Sequence, residues 1–300
     1  MRAKAMKIPS PALARVAVVL AVGFAGSLRA QSVADEGLKE VSLSELSSTS
    51  LNPLGRNALA LNRDGWRHAE SANFIYHFFD LATARQVASE AEFYFRVIAK
   101  DLGKEGQAVE RKAHIFILPR VEWEQFKRGA QLDPWTGGLH SANELFITRD
   151  GERFQGSTLG HEVAHLVVER FFGGHIPLWL NEGYAEYISG VLYAAYYRAR
   201  GFASKPRYAE IKPEEYIPLD RLVAFTGYPP TERESVAFYV ESRKLVTFLQ
   251  QRGKDAFRAF FEAMAKGSYF ESAVDGAYGG RFVSRRELEE QFRAEAFKIP

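Results

Sequence analysis

The segment His161-Glu162-Val163-Ala164-His165, followed after sixteen intervening residues by Glu182 and then Gly183, restricts the fold more than any other feature of this chain. Two imidazoles four residues apart lie on one helix face, one turn apart, and can reach a single metal ion. Glu162, beside the first of them, can take a proton from water that the ion polarises. A third donor must come from elsewhere, and a second helix offers it. Pro177 suits a first helical position, the run over 178–196 is apolar and aromatic, and Glu182 and Glu186 stand four apart within it. The chain must therefore lay two helices face to face.

The surroundings of the motif agree with a helix. Ser157 or Thr158 can cap its start, Leu159, Val163, Leu166, Val167 and Phe171 recur near helical spacing, and Gly173-Gly174 stops the run. Three protein donors with a vacant fourth position are the pattern of a catalytic zinc. A structural site would close that position, usually with thiolates, and the chain has 0 Cys. His161, His165 and Glu182 are thus the expected ligands of one zinc ion. Glu186 is the expected acceptor for the free ring N–H of a ligand histidine, the alternative being a solvated charge on the helix face. The bland reading of the motif, a buried helix with two hydrogen-bonded histidines, leaves the two carboxylates unexplained. A metzincin would need a further His six positions after His165, and that position is Phe171. His175 is expected in a loop, and Glu169 is expected to pair with solvent or a nearby Arg.

His161-Glu162-x-x-His165 followed by Trp179-Leu180-Asn181-Glu182-Gly183 resembles the gluzincin metallopeptidases, in particular their aminopeptidase-like branch and the bacterial peptidase MA-like domains. The resemblance runs over about residues 66–296, and it is most specific in the two zinc helices. It implies an α+β, thermolysin-like catalytic domain, with a small mixed sheet and two zinc-binding helices, followed by a helical C-terminal part. It implies Glu162 as general base, and His161, His165 and Glu182 as zinc ligands. Phe238-Tyr239-Val240-Glu241-Ser242 resembles the family's Tyr-x-x-Gly or Tyr-x-x-Ser helix. That likeness gives Tyr239 the role of hydrogen-bonding the oxyanion, with a packing Tyr as the equal alternative.

In aminopeptidases of this family an edge strand carries Gly-x-Met-Glu-Asn, whose Glu holds the free amino terminus of the substrate. The comparable stretch here is 137–147, with Ser141 where the anchoring Glu would fall and Glu144 three positions later. Gly138, His140 and Ser141 become the candidate substrate residues on a strand that pairs with extended peptide through its backbone. Endopeptidase action is favoured over strict aminopeptidase action.

Composition bounds the setting. Arg2, Lys4 and Lys7 precede an apolar run over 16–28, too short for a comfortable membrane span, so residues 1–30 are expected to be a signal peptide. Cleavage after Ala34 and an uncleaved anchor are the alternatives. The whole chain has 39 basic and 37 acidic residues, and the leader holds five of the basic ones and no acidic ones. The mature chain then carries thirty-four basic residues against thirty-seven acidic, a net charge of −3, which leaves no basic footprint for nucleic acid. The expectation is an exported protein, periplasmic or secreted, acting on a peptide or protein substrate.

Residues 31–65 are expected as a linker or N-terminal arm, 66–200 as the catalytic domain and 201–300 as a helical subdomain. Within them, 73–79 and 114–118 have strand character, while 81–101 and 121–127 have helical character. Helices are expected over 219–225, 235–252, 255–265 and 286–297. His114 is expected to be a packed strand residue. From another class comes the alternative of a catalytically silent peptide-binding protein, and a weaker one is hydrolysis of a non-peptide bond in a cell-wall fragment.

Overall fold

The computed structural model describes residues 37–149, 157–173, 175–202 and 209–298. The expected signal peptide and both expected cleavage positions lie outside the described residues. Among those described, no helix is long and apolar enough to cross a membrane.

Side-chain alternation builds one mixed sheet of six strands. These are β1 (Glu40–Val41), β2 (Arg67–Glu70), β3 (Phe74–Phe78), β4 (Ala113–Leu118), β5 (Gly138–Ser141) and β6 (Glu144–Thr148). Their order is β1-β2-β3-β4-β6-β5, with β3, β4 and β6 parallel and the outer strands antiparallel. Every residue of β3, β4 and β6 is buried. That pattern follows from helices on both faces of the sheet. On one face Phe74, Tyr76, Ile115, Ile117, Leu145 and Ile147 join the core of α2 (Leu81–Asp101) and α4 (Thr158–Phe172). On the other, Phe116, Leu118 and Phe146 meet Ala58 of α1 (Pro53–Ala60) and Trp123 and Phe126 of α3 (Arg120–Gly129). The class is α+β.

Two local expectations change. The 137–147 stretch is a hairpin of β5 and β6 rather than one strand, and only β5 lies at the sheet edge. Its reversal places Ala142 in the left-handed region at φ 53°, a turn without the usual glycine. The described part of 31–65 supplies β1 and α1 instead of a linker. Asn52 caps α1 by accepting from the backbone N–H groups of Leu54 at 2.7 Å and Gly55 at 3.0 Å. The backbone N–H of Asn52 in turn donates to Glu144 Oε1 at 2.5 Å, so α1 docks by its N-terminus on a buried carboxylate of β6.

The remaining helices are α5 (Leu178–Arg198), α6 (Leu219–Ala224), α7 (Glu232–Gln251), α8 (Lys254–Ala265), α9 (Phe270–Tyr278) and α10 (Arg285–Ala296). The expected helices after residue 218 fall on α6, α7, α8 and α10 within a few residues, and α9 was not expected. Phe270 anchors α9 against Trp179, with ring centroids 5.8 Å apart. Trp179 is fully buried, a contribution of about 1.5–3 kcal/mol for a large apolar side chain. Residues Glu36–Pro300 form one unit by their contacts, and α5 meets α7 more extensively than any other pair of elements meets.

A row of three imidazoles crosses the sheet. His77 Nδ1 lies 2.9 Å from His68 Nδ1, and His77 Nε2 lies 2.9 Å from His114 Nδ1. His77 and His114 are fully buried, and the His77 ring stacks on Phe116 at 4.5 Å. His114 is a packed residue, as expected. Because His77 turns opposite ring nitrogens to its two neighbours, no single ion can be held by all three.

Candidate metal centre

Helix α4 ends where Gly173 takes φ 78°, and α5 restarts after Pro177 at φ −53°, so a short connection turns the chain back on itself. Small residues then let the helices close. A β-carbon on Gly160 of α4 would lie 3.3 Å from Ser189 Cβ of α5. A β-carbon on Gly183 would collide with the backbone carbonyl of Ser242 in α7 and reach within 3.0 Å of Val246. Glycine at 183 therefore sets the depth at which α5 seats against α7, one residue after Glu182. Gly183→Ala is expected to cost about 1–3 kcal/mol by overpacking and to weaken metal binding by moving Glu182. Denaturant unfolding with and without added zinc measures both effects. A variant as stable as the parent would mean that these backbones do not meet this closely.

With the helices so placed, three donor atoms converge. His161 Nε2 and His165 Nε2 are 3.0 Å apart, and Glu182 Oε2 lies 3.3 Å from the first and 3.5 Å from the second. The three donors lie within 4.8 Å of one another, the only such group of three metal-capable residues among the described ones. His161 Nδ1 lies 3.1 Å from Glu186 Oε1. Whenever the ring is neutral, that contact favours the proton on Nδ1 and leaves the lone pair of Nε2 for a metal. The Nε2 atoms of two imidazoles and a carboxylate oxygen thus face one point. A proton can bridge only two of them, whereas a divalent cation satisfies all three, so the donor set fits zinc.

The charges point the same way. Burial works against protonation of His161, yet hydrogen bonds to Glu182 and Glu186 hold its imidazole well above the ordinary value. Burial likewise opposes ionisation of Glu182, but the charge of His165 and the hydrogen bonds from both histidines hold its carboxyl well below the usual range. Each acidic partner asks for positive charge at this point.

Glu162 points into the same cleft and is 7% exposed. Burial pushes its carboxyl up, while His161 and His165 pull it down. Its seat is the backbone of β5: a β-carbon on Gly138 would lie 2.7 Å from Glu162 Oε1 and 2.7 Å from Thr158 Cγ2. A residue with any side chain at 138 would displace the carboxylate.

The cleft has a volume of about 650 Å³ and is lined by the three donors, Glu162, Glu186, Gly138, His140, Tyr228 and Tyr239, among others. Of the three candidate substrate residues, Gly138 and His140 face it. Ser141 does not line it; it pairs with Glu144 in register, and its carbonyl accepts from Asn52 Nδ2 at 3.1 Å on the α1 side of the sheet. His140 stacks on His165 with centroids 6.2 Å apart, and its Nε2 lies 3.5 Å from Glu169 Oε2. Burial and the neighbouring His165 lower the His140 pKa to about 4, which keeps its ring neutral. Glu169 is exposed to solvent and feels the charge of Arg170, as expected, and one of its oxygens also approaches His140. His175 is exposed in the turn between α4 and α5, and takes no part in the cluster.

Tyr239 lines the cleft, and a second tyrosine there bonds directly to one of the three converging residues. The Tyr228 hydroxyl donates to Glu182 Oε1 at 2.5 Å. Sequence reasoning passed over Tyr228; the only local signal is the turn marked by Gly227 and Pro229-Pro230 around it. No protein-family model matches the chain, and no curated protein matches it. What the site does is therefore argued from its own residues.

Proposed function

We propose that this chain is an exported zinc metallopeptidase of the gluzincin kind, with a thermolysin-like arrangement of sheet and zinc helices, that cleaves peptide bonds within a chain. One observation carries the proposal: the ligand atoms of His161, His165 and Glu182 converge on one point in the cleft that the carboxylate of Glu162 also lines. Held there by those three residues, a zinc ion supplies Lewis acidity toward a carbonyl and brings the pKa of water down to about 7. Glu162 accepts the proton of the attacking water and returns it to the leaving amine. Glu186 fixes the ring and tautomer of His161 through Nδ1. Tyr239, which lines the cleft, donates to the oxygen on which negative charge develops.

The outermost strand β5 forms one wall of the cleft and suits pairing with an extended substrate backbone. Glu144 is bound by the N-terminus of α1, so it is not offered to a free amino terminus, which favours internal cleavage. The basic and apolar leader over residues 1–30 supports action in the periplasm or outside the cell.

The test is digestion of a broad peptide pool by the purified protein, with and without a chelator, read by mass spectrometry. Internal cleavage that stops on chelation and returns with zinc is expected. Stoichiometric zinc without cleavage of any peptide would identify a silent binding protein instead, and cleavage indifferent to the chelator would remove the metal from the reaction.

A further inference from the structure

Glu182 has two carboxylate oxygens, and they meet different partners. Oε2 faces His161 Nε2 at 3.3 Å and His165 Nε2 at 3.5 Å, while Oε1 accepts from the Tyr228 hydroxyl at 2.5 Å. Tyr228 belongs to neither zinc helix. It sits in the connection between α6 and α7, ahead of Pro229-Pro230, whose rings restrict the backbone that follows. Its ring stacks on Tyr239 at 6.1 Å with an interplanar angle of 26° and meets Phe238 edge-on at 6.5 Å. The residue is 57% exposed, whereas Glu182 is 2% exposed. Only the tip of this side chain goes deep, and it ends on a metal-facing carboxylate.

We propose that Tyr228 is a positioning residue that divides the Glu182 carboxylate, keeping Oε1 occupied so that Oε2 alone serves the ion. The proposal rests on the zinc reading above. A carboxylate can give a metal one oxygen or both, and the free oxygen needs only a small rotation to become the second donor. A second donor from Glu182 would fill the position that a catalytic zinc keeps vacant for water and substrate. A phenol suits the task because it donates one hydrogen bond without bringing positive charge, leaving the carboxylate's charge for the metal. Partners of this kind fix ligand geometry, and their loss typically weakens metal binding by roughly 10- to 100-fold.

Tyr228→Phe in the full-length protein keeps the exposed ring and removes only the hydroxyl. Tyr269→Phe, at an 83% exposed residue outside the cleft lining, is the control. Zinc affinity is measured by competition with a chromogenic chelator, and coordination by the visible absorption of the cobalt(II)-loaded protein. The expected result is zinc affinity roughly 10- to 100-fold weaker in Tyr228→Phe alone, with cobalt(II) bands moving to the weaker pattern of a higher coordination number. Unchanged affinity and unchanged bands would overturn the proposal while leaving the zinc reading intact. Weaker binding with unchanged bands would also overturn it, because the hydroxyl would then hold Glu182 without dividing it. A parent protein that binds no zinc would bring down the reading on which the proposal stands.

Discussion

Glu162→Gln is expected to lower peptide turnover roughly 100- to 10,000-fold while one zinc ion per chain is retained. The amide has the size and shape of the carboxylate, so it still fits against Gly138, where no β-carbon intrudes. It cannot accept the water's proton. His161, His165 and Glu182 keep their contacts, because Glu162 is not one of the converging donors. The loss should fall on kcat with KM little changed, since a group that works only as the proton moves contributes little to ground-state binding. Two measurements decide the matter together: zinc content by elemental analysis, and kcat on a peptide taken from the pool digestion. Near-parental kcat would transfer the role of base to another group. Loss of zinc together with activity would make Glu162 a structural residue.

The converging trio of His161, His165 and Glu182 was legible because its geometry is local. A four-residue spacing on one helix, a Pro at the head of the next and a second four-residue pair fix which faces must meet, whatever the rest of the chain does. Tyr228 was not legible for the opposite reason. Its bond to Glu182 spans 46 positions and depends on the path of an irregular connection, which no periodicity encodes. The β5–β6 reversal was missed because Ala142-Asn143 holds neither Gly nor Pro, although Ala142 adopts φ 53°. α9 is only nine residues long and contains Gly276, so its pattern is too short to register. Buried charge is silent as well. Glu241 lies in the same helical turn as Tyr239 and is fully buried, with burial pushing its carboxyl up to about 8 against the pull of Lys244. A sequence reading sees there only one more polar residue on an amphipathic helix. What propensity conveys is the existence of α5 and α7; their closeness comes from Gly183 against Ser242, a contact between two motifs that each looked catalytic alone.

The imidazole row in the sheet should make the fold acid-labile in a way that one substitution lessens. Burial, with a smaller push from Arg111, lowers the His114 pKa to about 4, and burial with the charge of both neighbours puts His77 well below its ordinary value. Both are therefore neutral in the folded chain at pH 5–6, where the unfolded chain, with histidine near 6.5, begins to take up protons. The unfolded state then binds more protons, so stability is intact above about pH 6.5 and falls as pH drops toward 4. His114 alone accounts for about 3 kcal/mol over that window, a large share of the 5–15 kcal/mol typical of a domain. His77 adds to it in the same direction. Hydrogen bonding does not relieve this at His114, because its Nδ1 is engaged with His77 and its buried Nε2 has no acceptor to take a second N–H. Denaturant unfolding between pH 7 and pH 4.5 should therefore show a steep decline in the metal-free parent. In His114→Leu the decline should be shallower by up to about 1.4 kcal/mol per pH unit, one titrating proton fewer. The metal-free form is the right one to compare, since acid would also strip any metal ion held by His161 and His165 and mask the sheet's share. Equal slopes in parent and variant would mean that His114 is protonated in the fold, and that the row carries charge where its burial forbids it.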